Sequence, residues 1–108
     1  MDQKQKNNFK FVKSKIERIC EDYRIAQIKL KFLESKPNKQ IADQNKIYKY
    51  RNYINTFELI LQCLNKEDAD LIRNVSLLRI PIQELGYSNS IYYDRYRKAA
   101  STFLRYIS

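Results

Sequence analysis

The chain has 108 residues, which suits one domain with a modest core and leaves no room for a deep substrate cavity. One Gly and two Pro leave little scope for tight hairpin turns, so a mostly helical chain is expected. The formal net charge of +9 points to a polyanionic partner: DNA, RNA or an acidic surface.

The charge is uneven. Residues 1–37 carry ten Lys/Arg against five Asp/Glu, residues 38–64 four against two, and residues 65–108 seven against five. No apolar run approaches the length of a membrane span, so no membrane partner is expected. The polar start, Met1–Lys10, lacks the apolar stretch of a signal peptide. Cys20 and Cys63 are too few for a bridged secreted scaffold. They read as buried or half-buried free thiols in a reducing cytoplasm. The absence of His removes the commonest general base. There is no Gly-rich phosphate loop and no paired Cys spacing for zinc. The chain therefore reads as a non-enzyme without a cofactor.

The first predicted element runs from about Asn7 to Ser35. Val12, Ile16, Ile19, Tyr23, Ala26, Leu30 and Leu33 alternate spacings of 4 and 3, a heptad seam on a helix. Asn7 or Asn8 is the expected cap. Its basic start, Lys4, Lys6, Lys10, Lys13 and Lys15, reads as a solvated helix start or as an arm that follows phosphates. Pro37 interrupts this helix, because it lacks an N–H and disfavours helix at the residue before it. A second seam follows from about Asn38 to Cys63: Ile47, Tyr50, Ile54, Phe57, Leu61 and Leu64. Pairing Tyr23 with Tyr50, Ile19 with Ile54 and Ile16 with Phe57 gives residue numbers that add to 73, which puts the turn beside Pro37. A long antiparallel hairpin is expected, with Cys20 level with Tyr53 and out of reach of Cys63. Apolar residues off the seam, among them Phe9, Phe11, Ile25, Ile28, Phe32, Tyr48 and Ile60, face either the C-terminal helices or the second subunit of a homodimer.

Asn65 caps a third helix with Glu67 and Asp68 in its first turn. It runs past Val75 and breaks near Ser76. Pro81 opens a short helix ending at Leu85. Gly86 supplies a residue free to take a positive φ, and Ser88 caps a final helix from Asn89 to about Ile107. Short helix, Gly turn, longer capped helix is a helix-turn-helix layout. Ile82 and Leu85 form the inward face of its first helix, and Tyr92, Tyr96, Ala99 and Phe103 that of the second. The outward stripe is read as Asn89, Ser90, Tyr93, Asp94 and Arg97. In a major groove Arg97 would pair with guanine or a phosphate, Asn89 with adenine, and Asp94 with cytosine. Tyr93 would meet a thymine methyl or a phosphate. The first-turn amides after Ser88 favour a phosphate, and Arg95 and Lys98 flank the stripe as phosphate contacts.

The run Leu85-Gly86-Tyr87-Ser88-Asn89-Ser90-Ile91-Tyr92-Tyr93, followed by Arg97-Lys98-Ala99, resembles the helix-turn-helix of sigma-factor region 4. It is most similar to small phage and Gram-positive regulators of the ArpU and RinA type, and also to small mycoplasma proteins with region-4-like ends. The resemblance covers about residues 65–107. It implies transcription regulation, with double-stranded DNA as partner and the helix from Ser88 to Lys98 as the reader. The expectation is thus an all-α chain: a long helical hairpin over 1–64, serving as scaffold or dimerisation part, and a three-helix helix-turn-helix over 65–108. Its function is DNA-binding regulation, or alternatively attachment to RNA polymerase or a sigma factor without sequence readout.

Overall fold

The computed structural model describes residues 3–107, with side chains from residue 8 onward except those of residues 82 and 89. All regular structure in these residues is helical. The elements are α1 (Gln3–Glu34), α2 (Ile41–Cys63), α3 (Lys66–Leu71) with a π-helical turn at Ile72–Leu77, a 3-10 turn at Ile82–Leu85, and α4 (Asn89–Ile107). The all-α expectation is met. None of these helices is long and apolar enough to cross a membrane.

Thirty-two residues make α1 about 48 Å long at the usual rise, and it spans most of the 55 Å long axis. It is already helical at Gln3, so neither Asn7 nor Asn8 is its cap. It ends at Glu34, ahead of Pro37, where the missing N–H predicts a stop. α2 begins at Ile41, three residues later than expected. Asp43 sets that start: its carboxylate accepts the Gln40 N–H at 3.1 Å and pairs with Lys36 Nζ at 3.0 Å. The Gln40 amide and then Lys36 hold the Asp43 carboxyl below the usual range.

The hairpin forms, but one heptad away from the expected register. Tyr23 stacks on Phe57, ring centroids 4.1 Å apart, instead of facing Tyr50. Those residue numbers add to 80, not 73. The Tyr23 hydroxyl donates to Glu58 at 2.7 Å and Arg51 pairs with Glu34 at 3.1 Å. The seam repeats every seven residues, so sliding by one repeat still sets the apolar residues of α1 from Ile16 onward against apolar residues of α2 and its end. The later start of α2 goes with the register adopted.

α4 lies along the hairpin, parallel to α1. Phe9 of α1 packs on Tyr92, Tyr93 and Tyr96 at its start, Phe57 of α2 meets Phe103 at 5.5 Å, and Ile107 reaches the level of Ile19 and Tyr53. The stripe Tyr92, Tyr96, Ala99 and Phe103 is fully buried, as its spacing predicts. One hydrophobic cluster runs across residue 64 and joins α1 from Phe9 to Tyr23, α2 from Phe57, α3, the π turn and α4. Beyond Tyr23 and Phe57 the hairpin projects as a two-helix arm in which Ala26 and Ile47 are buried.

Asn65 caps α3 as expected, accepting the Asp68 N–H at 2.8 Å. The break expected near Ser76 is instead a π turn that carries Ser76 inward, 2.6 Å from the Tyr96 hydroxyl. Arg24 of α1 donates to the Leu77 carbonyl at the end of that turn. The Tyr92 hydroxyl is buried without a hydrogen-bond partner among the described residues, and burial pushes its pKa up to about 12. Two superficially alike substitutions should therefore diverge. Tyr96→Phe leaves the buried Ser76 hydroxyl unpaired and should lose about 1–3 kcal/mol in urea unfolding. Tyr92→Phe removes an orphan and should leave the midpoint unchanged or raise it.

The two thiols are free, as expected, but they differ in exposure. Cys20 is fully buried, and desolvation raises its pKa to about 11. Cys63 is exposed, not half-buried, because it is the last residue of α2 and points off the seam. A thiol reagent at pH 8 should label one site per folded chain rapidly and the second only on unfolding. Mass spectrometry should place the fast label on Cys63; equal rates would show an open core.

Candidate nucleic-acid interface

The expected helix-turn-helix would need a first helix, a tight turn and a second helix. The short helix predicted from Pro81 is a single 3-10 turn, Ile82–Leu85, with Pro81 just outside it and its carbonyl taken by the Glu84 N–H. It is bounded by the extended Pro81 on one side and the left-handed Gly86 on the other. Gly86 adopts φ 77°, the left-handed conformation predicted for it. α4 then starts at Asn89, and the Ser88 carbonyl accepts the Tyr92 N–H at 2.9 Å. A Cβ at Gly86 would meet nothing within 4 Å. Gly86→Ala should therefore lose only the backbone term, about 1–2 kcal/mol by thermal unfolding, with no added steric loss.

The predicted reader residues do not form one surface. Ser88 and Ser90 are exposed at the start of α4. Asn89 is outside the described side chains. Tyr93 is not on the outward stripe: its ring sits edge-on against Phe9 at 4.6 Å and it is half-buried. A 100° step per residue turns Tyr93 toward the side on which α1 lies, and the sequence held no sign of where α1 would be. Arg95 reaches back to Glu67 of α3 at 3.1 Å. Asp94 is 80% exposed and stands 3.8 Å from Arg97. Lys98 is exposed and has no carboxylate partner among the described residues. The outward line of α4 is thus Ser90, Asp94, Arg97, Lys98 and Ser101.

Phe9 brings a second group into this region. Its contacts with Tyr92, Tyr93 and Tyr96 pin the start of α1 to the first turns of α4. Lys10 and Lys13, within a turn of Phe9, are then carried to the same end of the molecule. Lys13 lies 3.8 Å from Glu17, both half-exposed, a weak and screened pair. The sequence marked Phe9 as surplus to the seam and the lysines as a basic start. It held nothing to join them to α4. Lys4 and Lys6 lie outside the described side chains.

No protein-family model, curated protein or solved structure matches this chain.

Proposed function

We propose that this chain is a DNA-binding regulator of transcription that lays the exposed line of α4 on a duplex. The observation that carries the reading is the Phe9 anchor, which sets the basic start of α1 beside the first turns of α4. Backbone phosphates would be met by Lys10, Lys13 and Lys98 and by the amides at the start of α4. Ser90, Asp94 and Arg97 are the side chains aimed at base edges. The likeness of residues 85–99 to sigma-factor region 4 supports the same assignment, and the net charge of +9 supplies the attraction.

One observation favours a second reading, attachment to RNA polymerase or a sigma factor without sequence readout. Arg95 and Arg97 already face carboxylates, and Asp94 stands open in the centre of the line. A protein surface tolerates that pattern better than a phosphate backbone does.

Fluorescence anisotropy with a labelled random duplex separates the two. DNA binding predicts an affinity that falls at least about tenfold between 50 and 200 mM salt. Lys98→Ala should reduce the slope of log affinity against log salt by about one, and Arg97→Ala should weaken binding as well. No measurable binding of the unaltered chain at 50 mM salt would leave the polymerase reading in place.

A further inference from the structure

The hairpin arm carries charge that the site on α4 does not use. From Lys29 to Arg51 there are seven Lys/Arg against two carboxylates, a net +5 out of the chain's +9. Both carboxylates are engaged: Glu34 pairs with Arg51 at 3.1 Å and Asp43 with Lys36 at 3.0 Å. Lys29, Lys31, Lys39, Lys46 and Lys49 are left with no carboxylate partner among the described residues. Neutralising residues are available elsewhere on the chain, as Glu67 and Asp94 show.

Three of these lysines share one side of the arm. Lys29 and Lys49 line an open groove of about 620 Å³, floored by Ala26, Tyr50 and Tyr53 and bounded at its near end by Ile107. Lys29 lies over the Tyr50 ring at 5.9 Å. Lys46 precedes Lys49 by three positions and Tyr53 by seven, which puts it on the same stripe of α2. Asp22 is the carboxylate that lines the groove. Because Ile107 ends α4 there, the groove side of the arm is also the side of the hairpin on which α4 rides.

We infer that Lys29, Lys46 and Lys49 form a second contact to the phosphate backbone of duplex DNA. This rests on the DNA-binding reading and extends it along the molecule. The spacing fits: twenty residues of α1 separate Phe9 from Lys29, about 30 Å along the helix, against roughly 34 Å for one turn of duplex. The start of α4 and the arm then meet successive faces of one duplex. An acidic lipid surface is the rival occupant, because Ile25 lines the groove and Ile28 and Phe32 stand exposed on α1 beside Lys29. The one-turn spacing between the two basic sites favours the duplex.

The test uses the full chain, a labelled 24-base-pair random duplex and anisotropy across a salt series. Circular dichroism confirms the fold of each variant. Lys29→Gln/Lys46→Gln/Lys49→Gln should lower the salt slope by about 2 to 3 and weaken binding at least about tenfold at 100 mM salt. The matching triple Lys→Arg variant should keep the slope, since only charge is needed. Each single Gln substitution should remove about one. An unchanged slope in the Gln variant, with Lys98→Ala still weakening binding, overturns the arm contact and leaves the α4 site standing. A lowered slope in the Gln variant with no effect of Lys98→Ala or Arg97→Ala supports the arm and removes the α4 site. No binding by the unaltered chain overturns both. Sedimentation with phosphatidylserine vesicles completes the set: loss of vesicle binding in the Gln variant without a change in DNA slope assigns the arm to a membrane and overturns the inference.

Discussion

Phe57 stacks on Tyr23 of α1 and meets Phe103 of α4 edge-on, and this three-way contact sets how the hairpin and the last helix share a core. On one side of it the two long helices are covered by α3, the π turn and α4. On the other they run on alone as the arm. Phe57 is 2% exposed and Phe103 fully buried, so truncating either would open a void in a core that already spans three helices. The length of the arm, its groove and the position of its lysines all follow from where this contact falls along α1.

A polar detail accompanies that position. The seams of α1 and α2 accept more than one register, since a shift of seven residues preserves the apolar pairing. In the register adopted, Asp43 holds the Gln40 amide and Lys36 at the start of α2. Neither bond contributes much stability at such an exposed place. They accompany the adopted register, which the Tyr23–Glu58 bond and the Phe57–Phe103 contact also hold. The same division of labour appears at Ser76, where one buried hydroxyl bonded to Tyr96 aligns the π turn with α4.

The charges of α4 are largely answered within the molecule, by Glu67 for Arg95 and Asp94 for Arg97. Among the described residues, Lys98 on α4, Lys10 near the start of α1 and five lysines of the arm have no carboxylate partner. A reading centred on the residue types of α4 alone therefore misjudges where the attraction for a polyanion originates. Phe9 restores a basic neighbour to α4, and the continuation of the hairpin past Ile107 extends the basic side beyond it.

Helical period, Pro37, the Asn65 cap, Gly86 and the Tyr92-to-Phe103 stripe were legible in the sequence, because each acts through its near neighbours along the chain. So were the hairpin and the all-α class, which need only matching seams and a breaker between them. The register was not, because a heptad pattern is blind to a shift of its own length. The burial of Tyr93 was not, because helix geometry alone names the faces of α4 without saying which of them α1 covers. The pairing of Arg95 with Glu67, the anchoring of Lys10 and Lys13 beside α4, and the gathering of Lys29 and Lys49 on one groove join residues far apart in the chain. The sequence by itself determined the elements and their inward faces through local spacing. Only the tertiary structure decided which charges remain open to a partner, because neutralisation depends on which distant side chains the packing brings within reach.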